Sequence, residues 1–166
     1  SSGTTGVTLS KIKFSATNEN INLKQIALRL SGTTASSSRS DLVASKVTVW
    51  DGTTQVGEAV FPTSITATST LTTTVVIPNG GAKVLTIKGD ISPIAFNGVI
   101  NKSGDLLKVD YDGANVGLNG TYGTGVSSGA TVNGGTTNTA ASGVRIMRAY
   151  PTIAKLAVPS ILLQGG

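Results

Sequence analysis

Residues 46–61 read KVTVWDGTTQVGEAVF. Two runs of alternating apolar residues flank Asp51-Gly52, a pair that tolerates the positive φ of a tight hairpin turn. Val47 and Val49 share one face of the first run, and branched side chains suit a pleated strand better than a helix. The stretch therefore predicts strand, turn, strand.

The same period continues outward. In VTLSKIKFSA, residues 7–16, Val7 and Leu9 give way to Ile12, Phe14 and Ala16, an alternation with one change of phase that predicts a bulge near Ser10 and Lys11. INLKQIALRL, residues 21–30, does the same: Ile21 and Leu23, then Ile26, Leu28 and Leu30. TNEN between them supplies turn chemistry. Downstream, STLTTTVVIPNGG, AKVLTIKGDI and DLLKVDYDG alternate through Leu71, Val75 and Ile77, then Leu85, Ile87 and Ile91, then Leu107, Val109 and Tyr111. GVRIMRAY and TIAKLAV form a final pair. Helical periodicity is nearly absent, and the turn signals WDGTTQ, PNGG and NKSGD have the spacing of an all-β sandwich of about seven to nine strands.

Composition excludes several functions. The chain of 166 residues is 39% hydrophobic and 13% charged, long enough for one domain with a substantial core and cramped for two. Ser and Thr make up about a quarter of it, which gives an extracellular character. Without Cys or His there is no thiol chemistry, disulfide, usual zinc ligand set or imidazole catalysis. The net charge of +5 comes from dispersed lysines and arginines, and seven aromatics are too few to interleave with a basic face, so no nucleic-acid partner is expected. No apolar run approaches ~18 residues, so no membrane-spanning helix is expected. SSGTTGVTLS has neither the basic nor the apolar part of a targeting peptide, which would then lie outside this sequence.

GTYGTGVSSGATVNGG, residues 120–135, poses the functional question. Gly123, Gly125 and Gly129 come close to a dinucleotide fingerprint, but no helical pattern follows and no Lys-Ser/Thr pair completes a P-loop. Residues 113–144 contain no charged side chain. Small uncharged residues lower the desolvation cost of burial and let backbones approach closely. The segment 113–143 is therefore expected to be extended, partly β and packed against a neighbouring module or subunit, with Tyr122, Val126 and Val132 as contacts. A floppy or glycan-covered loop is the bland alternative.

Three further features bear on chemistry. Asp110, Asp112 and Asn115 in VDYDGAN place oxygen ligands as in a calcium turn; a full site would need a further acid, Asp90 or Asp105. Calcium is the one cofactor the sequence suggests. Lys11 or Lys13 could join an Asn in an isopeptide bond beside Glu19 or Glu58. Trp50 reads as a core or rim residue, or as a platform for stacking a sugar. The carboxylate pair of a glycosidase lacks supporting pocket signals.

Taken as a series, KIKFSATNENINLKQIALRLSG, SKVTVWDGTTQVGEAVF, TTTVVIPNGGAKVLTIKGDI, GDLLKVDYDG and RAYPTIAKLAVPS resemble the Ig-like repeat modules of long predicted surface proteins from candidate-phyla bacteria. The resemblance implies an Ig-like β-sandwich at the cell surface and transfers no catalytic residue.

The expected organisation is a β-sandwich domain over residues 1–158, with the Gly/Ser/Thr/Asn-rich insertion inside it, and a tail over 159–166. In that tail Ile161, Leu162 and Leu163 would lead into a next repeat or complete a neighbour's sheet. The expected function is non-enzymatic: an extracellular module that assembles into a surface layer, stalk or filament of like subunits. The alternative is an adhesin module that binds polysaccharide or a host surface through Trp50.

Overall fold

A computed structural model describes residues 1–31, 37–94, 102–148 and 153–154. The described chain is all-β, with two short 3-10 turns at Arg39–Asp41 and Gly117–Asn119 and no α-helix. Its longer strands are β1 (Val7–Ser15), β2 (Ile21–Leu30), β3 (Leu42–Asp51), β4 (Thr54–Val60), β5 (Thr66–Ile77) and β6 (Ala82–Ile91). Shorter ones follow: β7 (Leu106–Leu107), β8 (Val109–Tyr111), β9 (Tyr122–Gly125), β10 (Thr131–Asn133) and β11 (Val144–Arg145). No helix among the described residues is long and apolar enough to cross a membrane.

One antiparallel sheet runs in the order β1-β6-β3-β4-β5-β2-β9-β10, with β8 also paired to β2, while β7 and β11 form a separate ribbon. The sheet is curled about one core, in which Leu9, Ile12, Val47, Val49, Leu85 and Ile87 of one half join Ile26, Leu28, Val75 and Val109 of the other. Phe14 of β1 meets Tyr111 of β8 edge-on, with ring centroids 6.2 Å apart.

Consecutive strands do not always pair. β3 and β4 form the expected hairpin, and Asp51 opposite Thr54 is its last ladder pair. The positive φ falls on Gly52 (60°) and not on Asp51, so the turn sits one residue later than the Asp-Gly pair suggests. β1 pairs with β6, however, and β2 with β5. The links 16–20 and 78–81 therefore both carry the chain from one half of the sheet to the other. They lie side by side: Ala16 bridges Asn79, the Gly80 amide donates to the Ala16 carbonyl at 2.9 Å, and the Asn79 amide donates to Asn20 Oδ1 at 2.8 Å. Both predicted bulges are present, between Thr8 and Ser10 in β1 and between Leu23 and Gln25 in β2. Each extra residue turns the following alternation back toward the core.

β2 is buried on more than its core face, with Gln25 and Ala27 as inaccessible as their apolar neighbours. One edge pairs with β5; the other is shared, β9 taking Ile21–Gln25 and β8 taking Leu28–Leu30. In the break between them the buried Ala27 amide donates to Thr121 Oγ1 at 2.9 Å, and the Ala27 carbonyl accepts from the Asp112 amide at 3.0 Å. A buried amide without a partner loses its hydration for nothing. Thr121→Val keeps the side-chain shape and removes that acceptor. It is expected to destabilise the fold by about 1–3 kcal/mol in urea unfolding, whereas Thr121→Ser should recover most of the loss.

Asp41, fully buried at the end of the first 3-10 turn, accepts the Ser38 amide at 2.8 Å through Oδ2, while Oδ1 has no partner among the described residues. Burial, with a lesser push from the charge of Asp105, raises its carboxyl to about 6. A carboxyl raised on folding opposes folding when ionised, so its cost is complete above pH 6 and disappears as the pH falls toward its unfolded value of 3.8. Asp41→Asn keeps an acceptor for Ser38. It is expected to abolish a gain in stability of about 2–3 kcal/mol that the parent shows on acidification through this window, measured by urea unfolding across pH.

Candidate assembly surface

The uncharged segment is extended and partly β, as its composition predicts, but its inner side is held by its own domain. β9 joins the edge of β2, and β10 returns on β9 as the outermost strand. Where β9 passes β2, a Cβ on Gly123 would lie 2.7 Å from the Asn22 carbonyl oxygen; one on Gly113 would lie 2.6 Å from the backbone of Thr136 and Thr137. Only glycine allows both approaches.

Polar side chains, all but Asn138 from outside the segment, fasten it. Gln25 Nε2 donates to the Leu118 and Gly120 carbonyls at 2.7 and 2.8 Å. Tyr111 donates its hydroxyl to the Gly135 carbonyl at 2.7 Å, and burial raises the pKa of that phenol. Asn138 Oδ1 accepts from the Gly113 and Ala114 amides, closing the loop on itself. Glu19 is the most distant in sequence: its carboxylate accepts the Ser127 and Ser128 amides at 2.8 and 3.0 Å and the Ser128 hydroxyl at 2.6 Å. The glycine-rich turn thus does cradle an anion, and the anion is a side chain of the same protein.

The residues suggested for calcium are brought close, but the aspartate oxygens accept from backbone amides and from Asn115. Asp110 and Asp112 are both buried. Asp110 Oδ1 accepts the Ala141 amide, Asp112 Oδ1 accepts the Ala114 amide, and Asp112 Oδ2 accepts Asn115 Nδ2. Among the described residues no group of three or more acids forms a cluster suited to a metal ion. Asp90 and Asp105, the suggested completing ligands, accept the Gly6 and Lys102 amides instead. The acids invoked for an isopeptide bond are engaged as well, Glu19 in the turn and Glu58 with Lys46 at 3.2 Å.

Trp50 lies at the end of β3 and is half-buried. Its Nε1 donates to Thr48 Oγ1 at 2.8 Å, and the Lys88 ammonium sits 4.2 Å from the ring centroid. One ring face therefore already carries a cation. Of the other suggested contacts, Tyr122 is half-buried in β9, and Val126 and Val132 are exposed in the turn and in β10. Ile161, Leu162 and Leu163 lie outside the described residues.

A cleft of about 320 Å³ separates β1, at one end of the sheet, from β10 and the loop after it at the other. Ile12, Phe14, Ile21 and Ile77 give it an apolar lining, and Tyr122 and Val132 belong to it. A second cavity of about 260 Å³ continues along β1 from Ser10 to Lys13, against Asp110 and residues 139–141. No linear signal marks Glu19, Gln25, Thr121 or Asn138 as the residues that build this edge, because their partners lie 24 to 109 positions away. Comparisons with protein-family models, characterised proteins and solved structures find no significant match to this chain.

The hydrogen bonds from Ser128 and Ser127 lower the Glu19 pKa from its ordinary 4.5. Stability from this contact is present above that value and is lost as the pH falls through the lowered one. Glu19→Gln should speed amide exchange at Ser127 and Ser128 near neutral pH and leave the amides of β3 and β6 unchanged. Hydrogen exchange followed by NMR measures both.

Proposed function

We propose that this protein is a non-enzymatic structural module of the cell exterior that joins like subunits, through strand edges and its glycine-rich segment, into a surface layer, stalk or filament. The observation that carries the reading is the open seam of the curled sheet. Its two terminal strands, β1 and β10, flank an apolar cleft without pairing to each other, and an unpaired strand edge beside apolar surface is a template for another chain. In this reading the two halves of the sheet, facing each other over one core, form an Ig-like sandwich. The resemblance to surface-protein repeat modules and an extracellular location belong to the same proposal.

The use of the carboxylates supports a structural role. All eight acidic residues bind a partner within the fold: Asp51 pairs with Lys83 and Glu58 with Lys46, and the other six accept backbone amides. A general acid or base must instead present its carboxyl to a substrate. The polysaccharide-binding alternative rests on Trp50, whose ring face under Lys88 is not open for stacking.

Negative-stain electron microscopy and sedimentation of the purified protein test the proposal. Regular polymers are expected, and Val132→Lys at the β10 edge should reduce them while thermal unfolding stays close to that of the parent. A monodisperse monomer at every concentration, retained on a polysaccharide column, would establish the binding module instead.

A further inference from the structure

We propose that the trough beside β1 receives residues 160–164 of a second copy of this chain as an added strand; this rests on the assembly reading and names the contact that would produce it. The two cavities along the seam share Ile12, Lys13, Tyr111 and Thr139. They form one trough along β1 from Ser10 to Ser15, about 20 Å at the rise of an extended strand. Among the described residues β1 takes its ladder bonds from β6 alone. Among these residues its other edge has no ladder partner and faces the trough, and Ser10 Oγ, also lining it, is buried with no hydrogen-bond partner among them. Opposite stands the uncharged stretch 132–141, held away from β1 by the Thr139–Tyr111 and Ala141–Asp110 hydrogen bonds. The site has the features of strand addition: a free edge for the backbone and an apolar floor for alternate side chains.

The occupant follows from chemistry and length. Ser160-Ile161-Leu162-Leu163-Gln164 is a strand-length uncharged run between Pro159 and Gly165-Gly166. In an extended strand Ile161 and Leu163 share a face that suits the floor at Ile12 and Phe14. Lys11 and Lys13, exposed on β1, disfavour a cationic strand and leave a neutral one acceptable. A second copy is favoured over the chain's own tail because Ile153, shortly before the run, is 96% exposed. Its apolar side chain stands in water.

The test uses full-length protein. In the absence of native cysteine, Lys13→Cys in one copy and Leu162→Cys in another should form a disulfide-linked pair when the two are mixed and oxidised. A cross-link that closes only within a chain carrying both substitutions overturns the proposal in favour of the chain's own tail. Ile161→Asp with Leu163→Asp should abolish the polymers; polymers that persist overturn this proposal and leave the assembly reading standing. A synthetic peptide of residues 155–166, added to that double variant, should shift NMR resonances at residues 10–15 and 132–141, and shifts elsewhere or none overturn it. If the unaltered protein stays monomeric, the assembly reading falls and the peptide titration decides the trough by itself.

Discussion

Most of β2 is buried, Lys24 being its one exposed residue, and much of the molecule is arranged to satisfy its backbone. A buried strand must find a partner for every amide and carbonyl on both edges. β5 does this on one side. On the other, two short strands from distant parts of the chain divide the work, and Thr121 fills the gap between them. The uncharged segment is therefore not an appendage. It completes the sheet at the place where an orphaned amide would cost most.

That requirement explains the composition of the segment. To lie on β2 it must bring its backbone against the Asn22 carbonyl, which Gly123 permits, and close its own loop where Gly113 meets residues 136 and 137. Charged side chains would carry a desolvation cost at each approach. The charges that hold the segment come from outside it, one carboxylate for each turn or crossing: Glu19, Asp110 and Asp112. A glycine-rich turn whose amides converge on an anion has the local chemistry of a phosphate loop. Here Glu19 occupies it, and the turn becomes a fastening.

The curl of the sheet leaves its ends near each other but unjoined. A full barrel would have no edges, and a flat sheet would hold its two edges far apart. This one sets β1 and β10 across an apolar cleft. The links at 16–20 and 78–81 contribute to that geometry, because they carry β1 and β6 into one half and β2 and β5 into the other and are bonded to each other through Asn79 and Ala16. The result is a curled sheet with an open seam floored by Ile12 and Phe14.

By itself the sequence determined the strands from β1 to β8, the bulges of β1 and β2 and the hairpin at Gly52, because period, phase and turn chemistry are local properties of the chain; the expected final pair of GVRIMRAY with TIAKLAV is replaced, among the described residues, by Val144–Arg145 on Leu106–Leu107. The phase changes after Leu9 and Leu23 are legible for the same reason: one inserted residue reverses every side chain that follows. The lack of charge over residues 113–143 also pointed to an extended, partly β segment, which β9 and β10 show; that its inner side lies on its own sheet was not legible. Only the tertiary structure decided which strands pair. PNGG and TNEN are equally good turns whether the chain folds back as a hairpin or crosses to the other half of the sheet, and the choice depends on burying both halves over one core. The same holds for Glu19, Gln25, Thr121 and the two aspartates. Their types are ordinary for exposed turns and strands, and what makes each a fastening is a partner far along the chain that only the folded backbone brings within reach.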